Sequence, residues 1–199
     1  MRPWNLVPGA WNFRLGRQAV KPLVSPNPVA TVAPRSLLSV FFIRMNLGDL
    51  LSLEQIIPEM KASERWSAIV ELVDLLVSLQ HVAAEDRDQV LAALRQREET
   101  MSTGIGFGIA IPHASSDRVG KVVAAFGRSG TGIEFDSLDN APVSFIVLFV
   151  VPKDQFQTHL RTLAAIAKFL NDRTVRDRLG TAKSAAELLD IFKNPPPKA

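Results

Sequence analysis

The chain has 199 residues, 47% of them apolar and 22% charged, which is enough for one domain of about 150 residues with a buried core. It has no cysteine, which excludes disulfides, thiol catalysis and thiolate metal sites and suits the reducing compartment of the cytoplasm. The net charge of +3 comes from residues 1–44, which hold six basic and no acidic residues; residues 45–199 carry 17 basic and 20 acidic residues, so no nucleic-acid partner is predicted.

The first 44 residues differ in composition from the rest. They contain six of the thirteen prolines and show no sustained hydrophobic period. Their apolar run, 37–43, is short and lacks a cleavage pattern, so no secretory signal is predicted, and no run reaches the roughly 18 residues of a membrane span. A transit peptide is one interpretation, but we favour a disordered leader or a true start at Met45. The domain then covers 45–193 and the tail 194–199.

Apolar spacing predicts two helices at the start of the domain. Ser63 is the expected N-cap of the first helix, because its hydroxyl can accept a hydrogen bond from the first turn. The apolar positions of this helix are Trp66, Ile69, Val70, Val73, Leu76 and Val77. A second helix is predicted over 84–97, with Glu85 and Asp86 favourably placed in its first turn.

Strands and then helices are predicted in the second half. Short strands are expected at 121–127 and 132–135, and the β-branched and aromatic run 143–151 predicts a strand buried on both faces. Three helices follow, at 155–170, 173–179 and 184–192. The apolar stripe of the first consists of Phe156, Leu160, Leu163, Ala167 and Leu170. Because helices and strands interleave, the pattern predicts a layered α/β domain.

The most informative segment spans residues 102–113. Three glycines at alternate positions lead into an apolar stretch that ends in Pro112 and His113. Glycine lets the backbone approach a ligand closely, and the N–H groups of such a segment can form an anion-binding concavity. Proline suits the end of a strand, so His113 is expected where the ordered segment stops and solvent begins. An imidazole there can be a nucleophile, a proton shuttle or a ligand.

Other kinds of site are not supported by the motifs. A G-x-G-x-x-G fingerprint would need glycine where Ile109 stands, and no G-K-[ST] sequence makes a P-loop. No metal site is predicted, because His81, His113 and His159 are far apart in the sequence. No G-x-S-x-G elbow is present for a serine nucleophile. A transiently phosphorylated imidazole, with backbone donors around the phosphoryl oxygens, fits the remaining features.

Arg97-Glu98 and the segment 102–113 together resemble the signature of the enzyme IIA domain of the fructose/mannitol class in the bacterial phosphotransferase system. The resemblance covers about 45–192. The opening 45–51 is more specifically similar to the stand-alone, nitrogen-related branch. The resemblance implies one layered domain with a central mixed β-sheet flanked by helices, a fold that is similar to the cytoplasmic domain of anion transport proteins.

The resemblance also implies roles for the candidate residues. His113 would accept a phosphoryl group at Nε2 from a phosphorylated HPr-like carrier, itself charged by an enzyme I using phosphoenolpyruvate. Arg97 would neutralise the phosphoryl charge, and His159 corresponds to the family's second histidine. The residues expected to contact phosphate are Gly104, Gly106, Gly108 and Ser115. No cofactor and no metal are implied.

These residues also have structural interpretations. His113 could be a hydrogen-bonded histidine in a turn, and Arg97 could be a solvated residue at a helix C-terminus. His159 lies about 60° from Phe156 around the helix, at the edge of the apolar face, where a side chain can pack or reach a cleft.

The surroundings of the motif leave further questions. Phe107 and Ile109 could form an apolar rim for the carrier or pack in the core. Relatives commonly carry a basic residue two positions after the histidine, whereas this chain has Ser115 there. Asp117 would oppose the charge of a phosphoryl group, which affects the expected docking of partners and the lifetime of the phosphoryl group.

Three functions of different classes remain open. The first, which we favour, is a regulatory phosphocarrier whose two states bind different target proteins, such as transporters or kinases. The second is a sugar-transport enzyme IIA that passes phosphate to a IIB domain. The third is an interaction module of the same fold that transfers no phosphoryl group.

Overall fold

The computed structural model describes residues 47–195. The predicted leader, 1–44, and all but the first two residues of the predicted tail lie outside this range. Five helices are present in it: α1 (Arg65–Ser78), α2 (Arg87–Thr100), α3 (Phe156–Leu170), α4 (Arg173–Thr181) and α5 (Ala185–Lys193). The six strands are β1 (Ile56–Ile57), β2 (Gly104–Gly106), β3 (Ile109–Ala110), β4 (His113–Ser116), β5 (Val123–Ile133) and β6 (Val143–Pro152). Short 3-10 turns lie at Leu47–Asp49, Leu53–Gln55 and Ala84–Asp86.

The strands form one mixed sheet in the order β1-β5-β6-β3-β2, and β4 also pairs with β6. β5 runs antiparallel to β6, whereas β3 and β4 run parallel to it. β3 and β4 therefore occupy successive stretches of the same edge of β6, separated by Ile111 and Pro112. This arrangement confirms the predicted mixed sheet flanked by helices.

β6 is the central strand and supplies both cores. Its residues Ile146, Leu148 and Val150 pack in the cluster that contains α1 and α2. The intervening Phe145, Val147 and Phe149 pack in the cluster that contains α3, α4 and α5. Because successive side chains of a strand point to opposite faces, a strand buried on both sides is apolar throughout. The prediction of a doubly buried strand at 143–151 is confirmed.

The start of α1 differs by one residue from the prediction. Glu64, and not Ser63, is the N-cap, and its N–H donates to Ser67 Oγ at 3.3 Å. The reason is a contact with a distant part of the chain: the Ser63 carbonyl accepts from the N–H of Glu134. This pairing keeps the backbone extended for one residue more than the local sequence suggests.

The prediction of two separate short strands at 121–127 and 132–135 is wrong. They belong to one long strand, β5, whose register against β6 shifts between Arg128 and Ile133. Within this irregular stretch Gly130 donates its N–H to Glu59 Oε1 at 2.8 Å, and Gly132 has a φ of 83°. The glycines allow a bulge inside one strand, where the sequence suggested a turn between two.

The apolar stripe predicted for α3 is only partly buried. Phe156 and Leu160 are 62% and 46% exposed, whereas Ile166 and Leu170 are almost completely buried. The second half of α3 thus packs on the core as expected, and the first half presents apolar side chains to solvent. Beneath that first half lie the rings of His113 and Phe149, which His159 of α3 contacts.

Candidate functional site

The glycine segment folds into a tight β-hairpin. β2 and β3 pair antiparallel, with Gly106 opposite Ile109, so Phe107 and Gly108 form a two-residue loop. Both have positive φ, 56° and 73°, as a type I′ turn requires. A bulky residue such as Phe107 is uncommon in this conformation, and Asp139 supports it by accepting the N–H of Phe107 at 2.8 Å. The hairpin is one reason for glycine at 108.

Gly104 is required by close packing. A Cβ at this position would lie 2.8 Å from the Cβ of Ser137, and the N–H of Gly104 donates to Ser102 Oγ at 3.2 Å. A Cβ at Gly106, which has a φ of 93°, would lie nearest to the carboxylate of Asp139. The spacing of the glycines thus has a conformational explanation. That they contact a phosphoryl group stays a prediction.

His113 does not lie where an ordered segment ends, which corrects the expectation from the sequence. It opens β4 opposite Phe149, and it is only 6% exposed. Pro112 has no N–H for the sheet, but its carbonyl accepts from the N–H of Phe149 at 3.0 Å. Because β6 continues past the end of β3, the chain pairs with β6 again immediately after Pro112.

Two hydrogen bonds determine the tautomer of His113. Its Nδ1 lies 2.7 Å from the carbonyl oxygen of Ile111, and a carbonyl can only accept, so Nδ1 carries the proton. Arg97 Nε donates to Nε2 at 3.1 Å, and Nε2 must therefore be unprotonated, with its lone pair accepting this bond. The only basic nitrogen of the ring is Nε2, and a guanidinium faces it.

The environment keeps this imidazole neutral. Burial lowers the pKa of His113 from its ordinary 6.5 to about 4, and the positive charge of Arg97 acts in the same direction. The Ile111 carbonyl opposes the shift but does not outweigh burial. At neutral pH His113 is thus a base with a free lone pair, which is the form that a nucleophile needs.

Arg97 lies in the last turn of α2, and a second hydrogen bond holds it there, from Nη1 to the carbonyl of Met101 at 2.9 Å. Its neighbour Glu98 is buried, and the two carboxylate oxygens accept from the N–H and the hydroxyl of Thr103 at 2.9 and 2.7 Å. These bonds join the end of α2 to the start of the hairpin. The motif contains Glu98, but no role for it could be predicted from the sequence; its position beside Arg97 was the available signal.

His159 lies in the first turn of α3 and meets His113 there. The ring centroids of His113 and His159 are 5.1 Å apart in a T-shaped contact. Phe149 stacks on the His113 ring, with the centroids 5.4 Å apart. His159 Nδ1 is 3.1 Å from Ser115 Oγ. Burial and then the charge of Arg97 lower the pKa of His159. The structure thus brings together His113, Arg97, His159 and Ser115.

The charge of Asp117 is already matched. Its carboxylate lies 3.4 Å from Lys153 Nζ and 3.4 Å from Arg118 Nε. The positive charge of Lys153 is the main reason that the pKa of Asp117 is lowered. The negative charge that the sequence analysis expected to oppose a phosphoryl group is therefore offset by two cations.

Exposed apolar side chains occur at the hairpin loop and on the first half of α3; the loop lies toward the Val143 end of β6, away from His113, which is opposite Phe149. Phe107 is 67% exposed, and the guanidinium carbon of Arg176 lies 5.3 Å from its ring centroid. Phe156 and Leu160 flank His159 on α3. Ile109, the other residue considered for an apolar rim, is fully buried in the core.

Within residues 47–195, no group of three or more histidine, cysteine or acidic side chains could hold a metal ion. No helix in this part of the chain is long and apolar enough to cross a membrane.

Comparisons with known proteins agree with the fold. Residues 49–195 match the family described as phosphoenolpyruvate-dependent sugar phosphotransferase system, EIIA 2. The chain is 38% identical over 147 residues to the fructose-specific EIIA component of Haloferax volcanii, covering 74% of this chain and 94% of that protein. It is 30% identical over 155 residues to a nitrogen regulatory protein of Bradyrhizobium diazoefficiens, covering 78% and 99%. The solved structure of nitrogen regulatory protein IIA-Ntr from Neisseria meningitidis is similar, with a TM-score of 0.67, 31% identity and coverage of 73% and 98%.

Proposed function

Because the chain belongs to the EIIA 2 family of the phosphoenolpyruvate-dependent sugar phosphotransferase system, we propose that it is a phosphocarrier with regulatory function. His113 accepts a phosphoryl group at Nε2 from a phosphorylated HPr-like protein, and target proteins respond to the phosphorylation state. The observation that carries the proposal is the pair of hydrogen bonds on His113, which leaves Nε2 basic and faces it with a guanidinium.

The transfer follows from these two bonds. The lone pair of Nε2 attacks the phosphorus of the donor's phosphohistidine, the new N–P bond forms, and the old N–P bond breaks with its electron pair returning to the donor imidazole. The proton on Nδ1 stays in place, because the Ile111 carbonyl stabilises the positive charge that the ring acquires. No cofactor takes part in this step.

Arg97 has two tasks in this mechanism. In the free protein its Nε donates to Nε2, and this bond must be given up when the phosphorus approaches. The guanidinium then pairs with the phosphoryl oxygens, while its bond to the Met101 carbonyl keeps it within reach. A charge placed in advance at the position of the developing negative charge lowers the barrier to transfer.

The surroundings suit a protein partner better than a small molecule. The exposed side chains of Phe156 and Leu160, which flank His159, can contact the apolar surface of a carrier around the phosphoryl group. A cavity of about 430 Å³ lies between α4 and α5, but it is lined by residues of those helices and the turn between them, and not by His113. Before transfer the His113 ring is uncharged. After transfer its phosphoryl group carries about two negative charges, and a target protein can detect this change.

The test is intact-mass analysis after incubation with phosphoenolpyruvate, enzyme I and an HPr-type carrier. We expect wild type to gain one acid-labile phosphoryl group and His113→Ala to gain none. His81→Ala is the matched control and should behave as wild type, because His81 takes no part in the site. Uptake by His113→Ala would disprove the assignment. If wild type gains nothing while the donors are active, the chain is an interaction module of this fold.

A sugar-transport enzyme IIA is the second candidate, favoured by the similarity to a fructose-specific EIIA component at 38% identity. A transport protein passes its phosphoryl group to a IIB domain, and residues 1–199 hold no cysteine that could serve in such a domain. The phosphorylated chain should therefore be mixed with a fructose-type IIB domain. Rapid loss of the phosphoryl group would support transport, whereas retention would support the regulatory function.

A further inference from the structure

Ser115 and His159 form a contact that links β4 to α3. Side chains alternate along β4, so Ser115 shares the face of His113. Its hydroxyl lies 3.1 Å from Nδ1 of His159, a residue 44 positions away in the sequence. In the described part of the chain this hydroxyl has no other hydrogen-bond partner.

Ring packing by itself does not determine how His159 is oriented. The ring makes T-shaped contacts with His113 at 5.1 Å and with Phe149 at 5.7 Å. A half-turn about the last side-chain bond would exchange Nδ1 with a carbon and leave the shape of these contacts nearly unchanged, because this torsion has roughly two-fold preferences. The bond to Ser115 is the interaction that distinguishes the two orientations.

Resting on the function proposed above, we propose that Ser115 is a positioning residue for His159. Its hydroxyl holds Nδ1, so that Nε2–H of His159 is left free to donate to a phosphoryl oxygen on His113. The resemblance to the family implied that Ser115 contacts phosphate itself; in this proposal it acts through His159.

A hydroxyl suits this position because it both donates and accepts. In the proposed arrangement the Ser115 O–H donates to Nδ1 while His159 is neutral, and the ring proton resides on Nε2. A phosphoryl group on His113 favours protonation of His159, and the hydroxyl then accepts from Nδ1–H without a change in ring orientation. The same ring edge faces the phosphoryl group before and after transfer.

The experiment compares Ser115→Ala, Ser115→Thr and Ser116→Ala with wild type. Ser115→Ala should slow phosphoryl uptake about three- to tenfold, the size expected for one lost hydrogen bond. Ser115→Thr keeps the hydroxyl on a residue that suits a strand and should restore the rate. Ser116 has its hydroxyl on the opposite face of β4, where it accepts the N–H of Arg118, and its replacement should leave uptake unchanged.

Two further readouts separate positioning from general stability. The ¹⁵N shifts of the His159 ring in unphosphorylated protein should show Nε2–H in wild type and Ser115→Thr, and a mixture of tautomers in Ser115→Ala. In a His159→Ala background, Ser115→Ala should cause no additional loss of rate.

Normal uptake and normal ring shifts in Ser115→Ala would overturn the positioning role and leave the phosphocarrier function intact. An additive loss in the double variant would overturn it too, because Ser115 would then act independently of His159. Failure of wild type itself to accept phosphate would remove the proposed function and this inference together.

Discussion

The helices α1 and α3 have nearly the same length, 14 and 15 residues, yet they use their apolar residues differently. In α1 the side chains of Ile69, Leu72, Val73 and Leu76 are fully buried between the sheet and α2. In α3 only the second half packs in this way, and the first half leaves Phe156 and Leu160 exposed.

The difference arises from what lies under each helix. α1 packs in the cluster that contains Val123, Ala125 and Ile133 of β5. The first turn of α3 covers the rings of His113 and Phe149, and it contributes His159 to that group. The sequence of a helix thus shows that it has an apolar face. Whether this face is buried in the core or left exposed for an interface depends on the residues packed beneath the helix.

The largest effect is expected for Leu72→Ala in α1. Removing a fully buried leucine leaves a cavity, and the free energy of unfolding should fall by about 3 to 4 kcal/mol. Urea unfolding at pH 7 measures this value. Phosphoryl uptake, assayed where the variant is still folded, should remain normal. A loss below about 1 kcal/mol would contradict the assignment of α1 to the core.

Acid should lower the free energy of unfolding, because the pKa of His113, which lies beneath α3, is lowered in the folded protein. Because the pKa of His113 is about 4 in the native state and 6.5 otherwise, the unfolded chain binds more protons between these values. Stability therefore rises with pH through this window, and about 2 to 3 kcal/mol should be lost on acidification from pH 6.5 to 4.

His113→Gln is the control for this prediction, since glutamine does not titrate. Urea unfolding of both proteins at a series of pH values should show a steeper acid loss in wild type. His159 contributes in the same direction to both proteins, because its pKa is also lowered. Parallel curves would mean that His113 is not desolvated as the structure indicates.

Arg97→Gln tests the site without disturbing either core. Loss of the charged partner of Nε2 should reduce the rate of phosphoryl uptake about tenfold to a hundredfold, as expected for one charge-assisted hydrogen bond. The midpoint of urea unfolding should change little, because the side chain is only partly buried. Rapid-quench kinetics with the phosphorylated carrier provide the rate, and an unchanged rate would count against the mechanism.

The smallest change in stability is expected for Leu160→Ala in α3, the counterpart of the substitution in α1. Leu160 is 46% exposed, so the free energy of unfolding should change by less than about 0.5 kcal/mol. If this part of α3 contacts the carrier, KM for the phosphorylated carrier should rise about threefold to tenfold, with kcat retained. A large loss of stability would place Leu160 in the core and end the contrast between the helices.

Much of the fold could be predicted from local patterns. The apolar run of β6, the helical spacing in α1 and α2, and the interleaving of helices and strands predicted a layered α/β domain with a doubly buried strand. The segment 102–113 also pointed to His113, on which the proposed site centres. These features depend on near neighbours in the sequence, where backbone sterics and side-chain periodicity act directly.

Tertiary structure decided the rest, because the deciding partners are far away in the sequence. Pairing with β6 makes β4 begin at His113 and buries that residue. Pairing with the same strand joins two predicted short strands into β5. Lys153, 36 residues from Asp117, offsets the charge of that carboxylate, and His159 reaches Ser115 across 44 residues. The sequence alone determined which chemistry is available; the long-range contacts determined that His113 is buried, that the charge of Asp117 is offset and that His159 meets Ser115.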